Sequence, residues 1–116
     1  KTVLLVDDDA TLRRALKRTV RRFPAAALEA ESPEEAEIIL GESEIDLIMS
    51  DYTFAGGING LDFLTNCREL YPNVPRVLLT GHDLTSDPDL PGDRGAAHAI
   101  FQKPWNQQEF MDGLFK

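Results

Sequence analysis

Five residues spread along the chain have side chains whose chemistry becomes specific only in company: Asp7, Asp8, Asp51, Thr80 and Lys103. Two carboxylates about 4 Å apart repel by about 4 kcal/mol at an effective dielectric of about 20, so three brought together require protons or a cation. Oxygen-only ligands on a rim open to water suit Mg²⁺, which keeps several waters and takes one or two carboxylates. A lysine ammonium and a threonine hydroxyl beside such an ion complete the charge and hydrogen-bond shell of a phosphoryl group. A carboxylate next to the ion can then act as nucleophile in phosphoryl transfer.

The pattern around these residues says how they meet. Val3-Leu4-Leu5-Val6 is a short continuous apolar run, as expected of a strand covered on both faces, and it stops at Asp7-Asp8-Asp9. Ala26–Glu31 reads as a second strand. Ile45-Asp46-Leu47-Ile48-Met49-Ser50 reads as a third and ends at Asp51; Arg76-Val77-Leu78-Leu79-Thr80 is a fourth; Ala99-Ile100-Phe101-Gln102 is a fifth, ending at Lys103-Pro104. Helical spacing fills the intervals. Leu12, Leu16, Thr19/Val20 and Phe23 mark a helix over 10–22, with Asp9 as its cap and Pro24 as its stop. Ser32-Pro33-Glu34-Glu35 has the spacing of a capping box, and Gly41 stands where that helix would stop. Asn59 caps a helix over 60–71 with Leu61, Leu64, Cys67 and Leu70 or Tyr71 inward. Asn106–Glu109 opens a last helix running to about Phe115. Only 81–97 lacks a pattern: Pro88, Pro91, Gly92 and Gly95 predict irregular chain with at most one short helical turn, since an interior proline costs a helix about 3 kcal/mol.

Strands alternating with helices predict an α/β fold, a parallel sheet with right-handed crossovers and helices on both faces. Ligands in such folds bind beyond the carboxyl ends of the strands, and that is where all five residues fall.

Composition narrows the classes further. With 116 residues, 42% hydrophobic and 28% charged, the chain is sized and balanced for one packed domain (1–116) rather than a disordered tail. A net charge of −8 argues against nucleic-acid binding by this domain, which needs clustered positive charge. No apolar run is long enough for a membrane span and the first residues show no signal-peptide pattern. The single cysteine, Cys67, forms no internal disulfide, and a cytoplasmic location is expected. Cys67 on the buried stripe reads as core. His82 and His98 lack metal-ligand spacing and read as solvated, although His82 lies near the rim. Arg13, Arg14, Lys17, Arg18, Arg21 and Arg22 read as a solvated basic helix face or, more sharply, as a docking surface for an acidic partner.

Nearly the whole chain resembles the receiver domain of two-component response regulators, the CheY-like superfamily. The resemblance is carried by Leu4-Leu5-Val6-Asp7-Asp8-Asp9, Leu47-Ile48-Met49-Ser50-Asp51, Gly60-Leu61, Leu78-Leu79-Thr80-Gly81 and Lys103-Pro104-Trp105, each weak alone and specific in this order and spacing. It implies a doubly wound, flavodoxin-like sheet of five parallel strands in the order 2-1-3-4-5. It implies that Asp51 is the phosphoacceptor, taking a phosphoryl group from a histidine kinase or histidine phosphotransfer protein. Asp8, Asp51 and the backbone carbonyl of Thr53 would bind Mg²⁺, with Asp7 acting largely through water. Thr80 and Lys103 would hold the phosphoryl group, Gly81 would leave the site accessible, and the Lys103–Pro104 peptide is a cis candidate. Such a domain is a self-dephosphorylating signalling module rather than an enzyme. It is expected to be a piece of a longer protein with an output domain.

Three departures set this chain apart from the family pattern. The switch position three residues before Lys103 is Ile100, where an aromatic is usual. The loop after Asp51 has Ala55-Gly56-Gly57 in place of the usual proline. The fourth helix is the stretch that Pro88 and Pro91 interrupt, so a dimer through that helix is expected to be absent or remodelled. Two other functions fit parts of the sequence. Asp7-Asp8-Asp9-Ala10-Thr11 resembles the first motif of haloacid-dehalogenase-type phosphatases, with Asp7 as nucleophile and Asp9 as acid; that reading leaves Asp51 idle and lacks a late acidic motif. A pseudo-receiver, a binding module that is not phosphorylated, is favoured by Ile100 and opposed by the complete set of five.

Overall fold

The computed structural model describes residues 1–22, 25–54, 58–81 and 91–102. Within them lie β1 (Thr2–Val6), α1 (Ala10–Val20), β2 (Ala26–Ala30), α2 (Pro33–Glu42), β3 (Leu47–Asp51), α3 (Gly60–Leu70), β4 (Arg76–Thr80), a 3₁₀ turn at Arg94–Ala96, and β5 (Ala99–Gln102). All four ladders are parallel and the strand order is β2-β1-β3-β4-β5. This is the doubly wound arrangement expected from the sequence.

The apolar runs are explained by two cores, one on each face of the sheet. Side chains alternate along a strand. Val3 and Leu5 therefore join Met49, Val77 and Leu79 on one face, where Leu16 and Val20 of α1 close the cluster. Leu4 and Val6 join Ile48 and Leu78 on the other, against Ala36 and Leu40 of α2 and Phe63, Leu64 and Cys67 of α3. Burial lifts the Cys67 thiol to about 12 from its ordinary 9.0, with Glu37 adding to the rise. At pH 8 native Cys67 is therefore expected to resist iodoacetamide and to react at the ordinary thiol rate once urea unfolds the chain. Mass spectrometry of the alkylated protein checks this, and rapid labelling of native protein would contradict it.

The helix signals hold with small shifts of boundary. Asp9 accepts from the N–H groups of Thr11 and Leu12, Ser32 from Glu35, and Asn59 from Leu61; Glu35 reaches back to the N–H of Glu31. Gly41 does not stop α2. The helix continues to Glu42 with Ser43 as its cap, and a Cβ at Gly41 would meet nothing within 4 Å. The third strand starts at Leu47, not Ile45; Ile45 is buried before it. Leu70 is 68% exposed, and Tyr71 packs inward in its place. The irregular reading of 81–97 holds where residues are described, at 91–93 and in the 3₁₀ turn; the rest of the fourth-helix stretch, His82, Trp105 and the last helix lie outside the described residues.

A candidate metal and phosphoryl site at the carboxyl ends of the strands

Register brings the acids together. Val6 pairs with Ser50 across β1 and β3, so Asp7 and Asp51 follow side by side. Asp51 pairs with Leu79 of β4, which leaves Thr80 one residue beyond it on the same rim. One carboxylate oxygen from each of Asp7, Asp8 and Asp51 lies within 4.8 Å of the others. Asp7 is buried, Asp51 half-buried and Asp8 exposed. Thr80 is buried at 1% exposure. Lys103 and Pro104 lie outside the described residues.

Hydrogen bonds fix two of the acids. Asp7 Oδ1 accepts from the N–H of Asp9 at 2.8 Å, and Asp51 Oδ1 accepts from the N–H of Tyr52 at 2.8 Å. The loop beyond Asp51 folds back on itself: Thr53 bridges to Asn59, and the N–H of Gly60 donates to the carbonyl of Tyr52 at 2.6 Å. Gly60 is required by contact. A Cβ there would stand 1.8 Å from the carbonyl oxygen of Asp51. At Gly81 a Cβ would meet nothing within 4 Å, so packing does not require a glycine there.

The set suits a small hard cation. Asp7, Asp8 and Asp51 would hold such an ion through oxygen alone, and it would offset the repulsion among their charges. With one oxygen from each of the three acids within 4.8 Å of the others, the cluster is tight enough for one small ion to be shared among them. An all-oxygen donor set with one exposed member favours a partly hydrated Mg²⁺ over metals that seek nitrogen or sulfur.

Arg13 corrects the reading of α1 as solvated basic face. It is 8% exposed, and its Nη1 donates to the carbonyl oxygen of Asp7 at 2.5 Å. Its Nε stands 3.4 Å from Glu29 and its Nη2 3.7 Å from Glu31. The signal was present in the sequence, since 13, 16 and 20 form one helical stripe with Leu16 and Val20. Arg76, placed by the sequence at the start of the fourth strand, does more than begin it. It is buried, its guanidinium donating to the carbonyls of Ala96 and Val74. Burial lowers the pKa of this guanidinium, and Arg68 nearby lowers it further. His98 is exposed yet not merely solvated, because its Nδ1 accepts from the N–H of Arg76. At the switch position Ile100 is 39% exposed, while Phe101 faces the opposite core with Val77 and Leu79. The ring of Phe101 thus stands on the wrong face to replace an aromatic at 100.

Comparison with known proteins agrees with this geometry. The model of the response regulator receiver domain matches residues 3–114. The chain is 28% identical over 111 residues to the hydrogenase transcriptional regulatory protein HoxA of Cupriavidus necator, covering 96% of this chain and 23% of that protein. It is 27% identical to the phosphate regulon transcriptional regulatory protein PhoB of Pseudomonas aeruginosa, covering 98% of this chain and 50% of that one. The chain thus spans from under a quarter to about half the length of these curated relatives. Among solved structures, the response regulator TrrA of Thermotoga maritima in complex with Mg²⁺-BeF superposes with a TM-score of 0.85 at 27% identity, covering 97% of this chain and 95% of that one. Among the described residues no helix is long and apolar enough to cross a membrane. With its strand order, acidic cluster and matched motifs, the chain belongs to the receiver domains of two-component response regulators, a signalling family.

Proposed function

We propose that Asp51 is the phosphoacceptor and that Mg²⁺ bound by Asp8, Asp51 and the carbonyl of Thr53, with Asp7 acting through water, assists the transfer. The observation that carries this is the convergence of three carboxylates from β1 and β3 beside Thr80. A carboxylate oxygen of Asp51 attacks phosphorus, the P–N bond of a phosphohistidine breaks, and the imidazole leaves with the electron pair. Bound Mg²⁺ supplies positive charge against the phosphoryl oxygens. The Thr80 hydroxyl and the Lys103 ammonium take the remaining phosphoryl oxygens. The donor is a histidine kinase or phosphotransfer protein, and the cytoplasm is where such a partner is met. Phosphorylation then shifts a two-state equilibrium that an output domain reads, as the transcriptional regulators among the relatives suggest. Self-dephosphorylation belongs to the same site.

The phosphatase reading is disfavoured by what Asp7 and Asp9 do. Asp7 is buried and Asp9 caps α1 with its side chain. Intact-mass spectrometry after incubation with acetyl phosphate is the test. One phosphoryl group is expected to add to wild type with Mg²⁺, and none without Mg²⁺ or in Asp51→Asn. A label that survives Asp51→Asn and disappears in Asp7→Asn would transfer the role to Asp7. No label on wild type under any condition would leave a binding module or a receiver that answers only to its own kinase.

A further inference from the structure

We propose that Tyr52 is a positioning residue for Asp51 and the link by which the state of that carboxylate reaches residues 91–96; this rests on Asp51 being the phosphoacceptor. Both ends of Tyr52 are engaged. Its N–H is shared between the Asp51 carboxylate, at 2.8 Å, and the Leu79 carbonyl of β4, at 3.0 Å. Its ring is buried with Phe54, Leu61 and Ala96, and its hydroxyl donates to the carbonyl oxygen of Pro91 at 2.6 Å. The same oxygen accepts from Asn59 Nδ2 at 2.8 Å, while Asn59 Oδ1 caps α3 through the N–H of Leu61. Two donors from the two sides of the loop after Asp51 thus converge on one backbone carbonyl far along the chain.

The receiving segment is fitted to this clamp. Gly92 has a φ of +112°, and a Cβ there would come within 2.8 Å of two Leu61 atoms, so only glycine can lie so close to α3. Asp93 caps the 3₁₀ turn and pairs with Arg68 of α3 at 3.0 Å. Residues 91–96 are therefore tied to the start and the last turn of α3, and through Ala96 to the core. An aromatic rotation at residue 100 is not available to carry the signal, because that residue is Ile100 and stands 39% exposed.

The chemistry supplies the coupling. When one oxygen of Asp51 bonds to phosphorus, the other becomes the neutral carbonyl oxygen of an acyl phosphate. The hydrogen bond from Tyr52 N–H then loses its charge assistance, which roughly doubles the strength of such bonds. The N–H shifts toward Leu79, and the rigid ring, with two rotatable bonds, carries that shift to the hydroxyl and Pro91.

Hydrogen–deuterium exchange of a peptide spanning 92–97, with and without beryllofluoride and Mg²⁺, reads the link. In wild type the ligand is expected to change exchange there severalfold. Tyr52→Phe removes only the hydroxyl, and Asn59→Asp removes only the amide donor while keeping the cap. Both are expected to raise basal exchange at 92–97 and to lose most of the response. Tyr52→Phe should still gain a phosphoryl group from acetyl phosphate, severalfold more slowly. A full response at 92–97 in both variants would overturn the link. A wild type that is labelled yet unchanged at 92–97 would overturn it while sparing the phosphoacceptor. A wild type that takes neither label nor beryllofluoride would remove both.

Discussion

Gly60→Ala is expected to cost about 3 kcal/mol of stability, which lowers the melting temperature of a domain this size by about 10 °C. The reason is contact with the backbone of Asp51 and Tyr52. A methyl group at 60 would lie 1.8 Å from the Asp51 carbonyl oxygen and 3.1 Å from Tyr52 Cα, and neither can rotate away as a side chain would. The carbonyl of Tyr52 accepts from the N–H of Gly60 at 2.6 Å, so the start of α3 cannot retreat without breaking that bond. The displaced atoms belong to Asp51, the residue proposed to accept the phosphoryl group. A misplacement of about 1 Å can cost a transfer reaction about a hundredfold, and acetyl phosphate labelling of the variant should slow by that order. Calorimetry and timed mass spectrometry check the two effects. A variant that melts and labels like wild type would show that α3 can slide away from β3.

Arg13→Met is expected to destabilise by about 2–3 kcal/mol although it removes a residue from a helix otherwise rich in exposed base. Methionine keeps most of the volume and helix propensity of arginine, so the loss reports the guanidinium. That group makes a charge-assisted bond to the Asp7 carbonyl and stands against Glu29 and Glu31, which ties α1 to the ends of β1 and β2. Glu29 keeps a second cation, since Lys17 Nζ lies 3.2 Å away, so the damage concentrates at the Asp7–Asp8 peptide. Arg13→Lys should recover only part, because an ammonium lacks the planar fork that addresses a carbonyl and two carboxylates at once. Urea midpoints for the three proteins decide this. A change below about 0.5 kcal/mol in Arg13→Met would put the residue with the solvated bases after all.

The residues that the sequence made legible were those governed by short-range patterns. Val3–Val6 and Val77–Leu79 read as strands because both faces of each are buried, so no polar residue interrupts them. Asp9, Ser32 and Asn59 read as caps because capping depends on spacings of two or three residues. The meeting of Asp7, Asp8 and Asp51 was legible because a parallel sheet places strand ends on one rim. What stayed hidden depended on long-range partners. Gly41 resembles a helix stop, but no change of direction is needed there and α2 runs on to Glu42. Arg13 resembles its exposed neighbours Arg14 and Arg18 until the Asp7 carbonyl is placed beside it. The hydroxyl of Tyr52 and the carbonyl of Pro91 meet across a loop and a helix, and no local spacing announces them.

The pairing of Val6 with Ser50 and of Asp51 with Leu79 has a consequence for tolerance to error. A strand advances about 3.3 Å per residue and turns its side chains over at each step. If β3 slipped by a single place against β1, Asp51 would move by most of the width of a hydrated ion's inner shell and point to the opposite face. Ser50 and Met49 would exchange faces with it, and the apolar layers would no longer interlock. The accuracy of the acidic cluster is thus inherited from Leu4, Ile48 and Leu78 packing on one side and Leu5, Met49 and Leu79 on the other. Residues that never touch the chemistry act as its ruler, and the rim can vary in its loops without losing calibration.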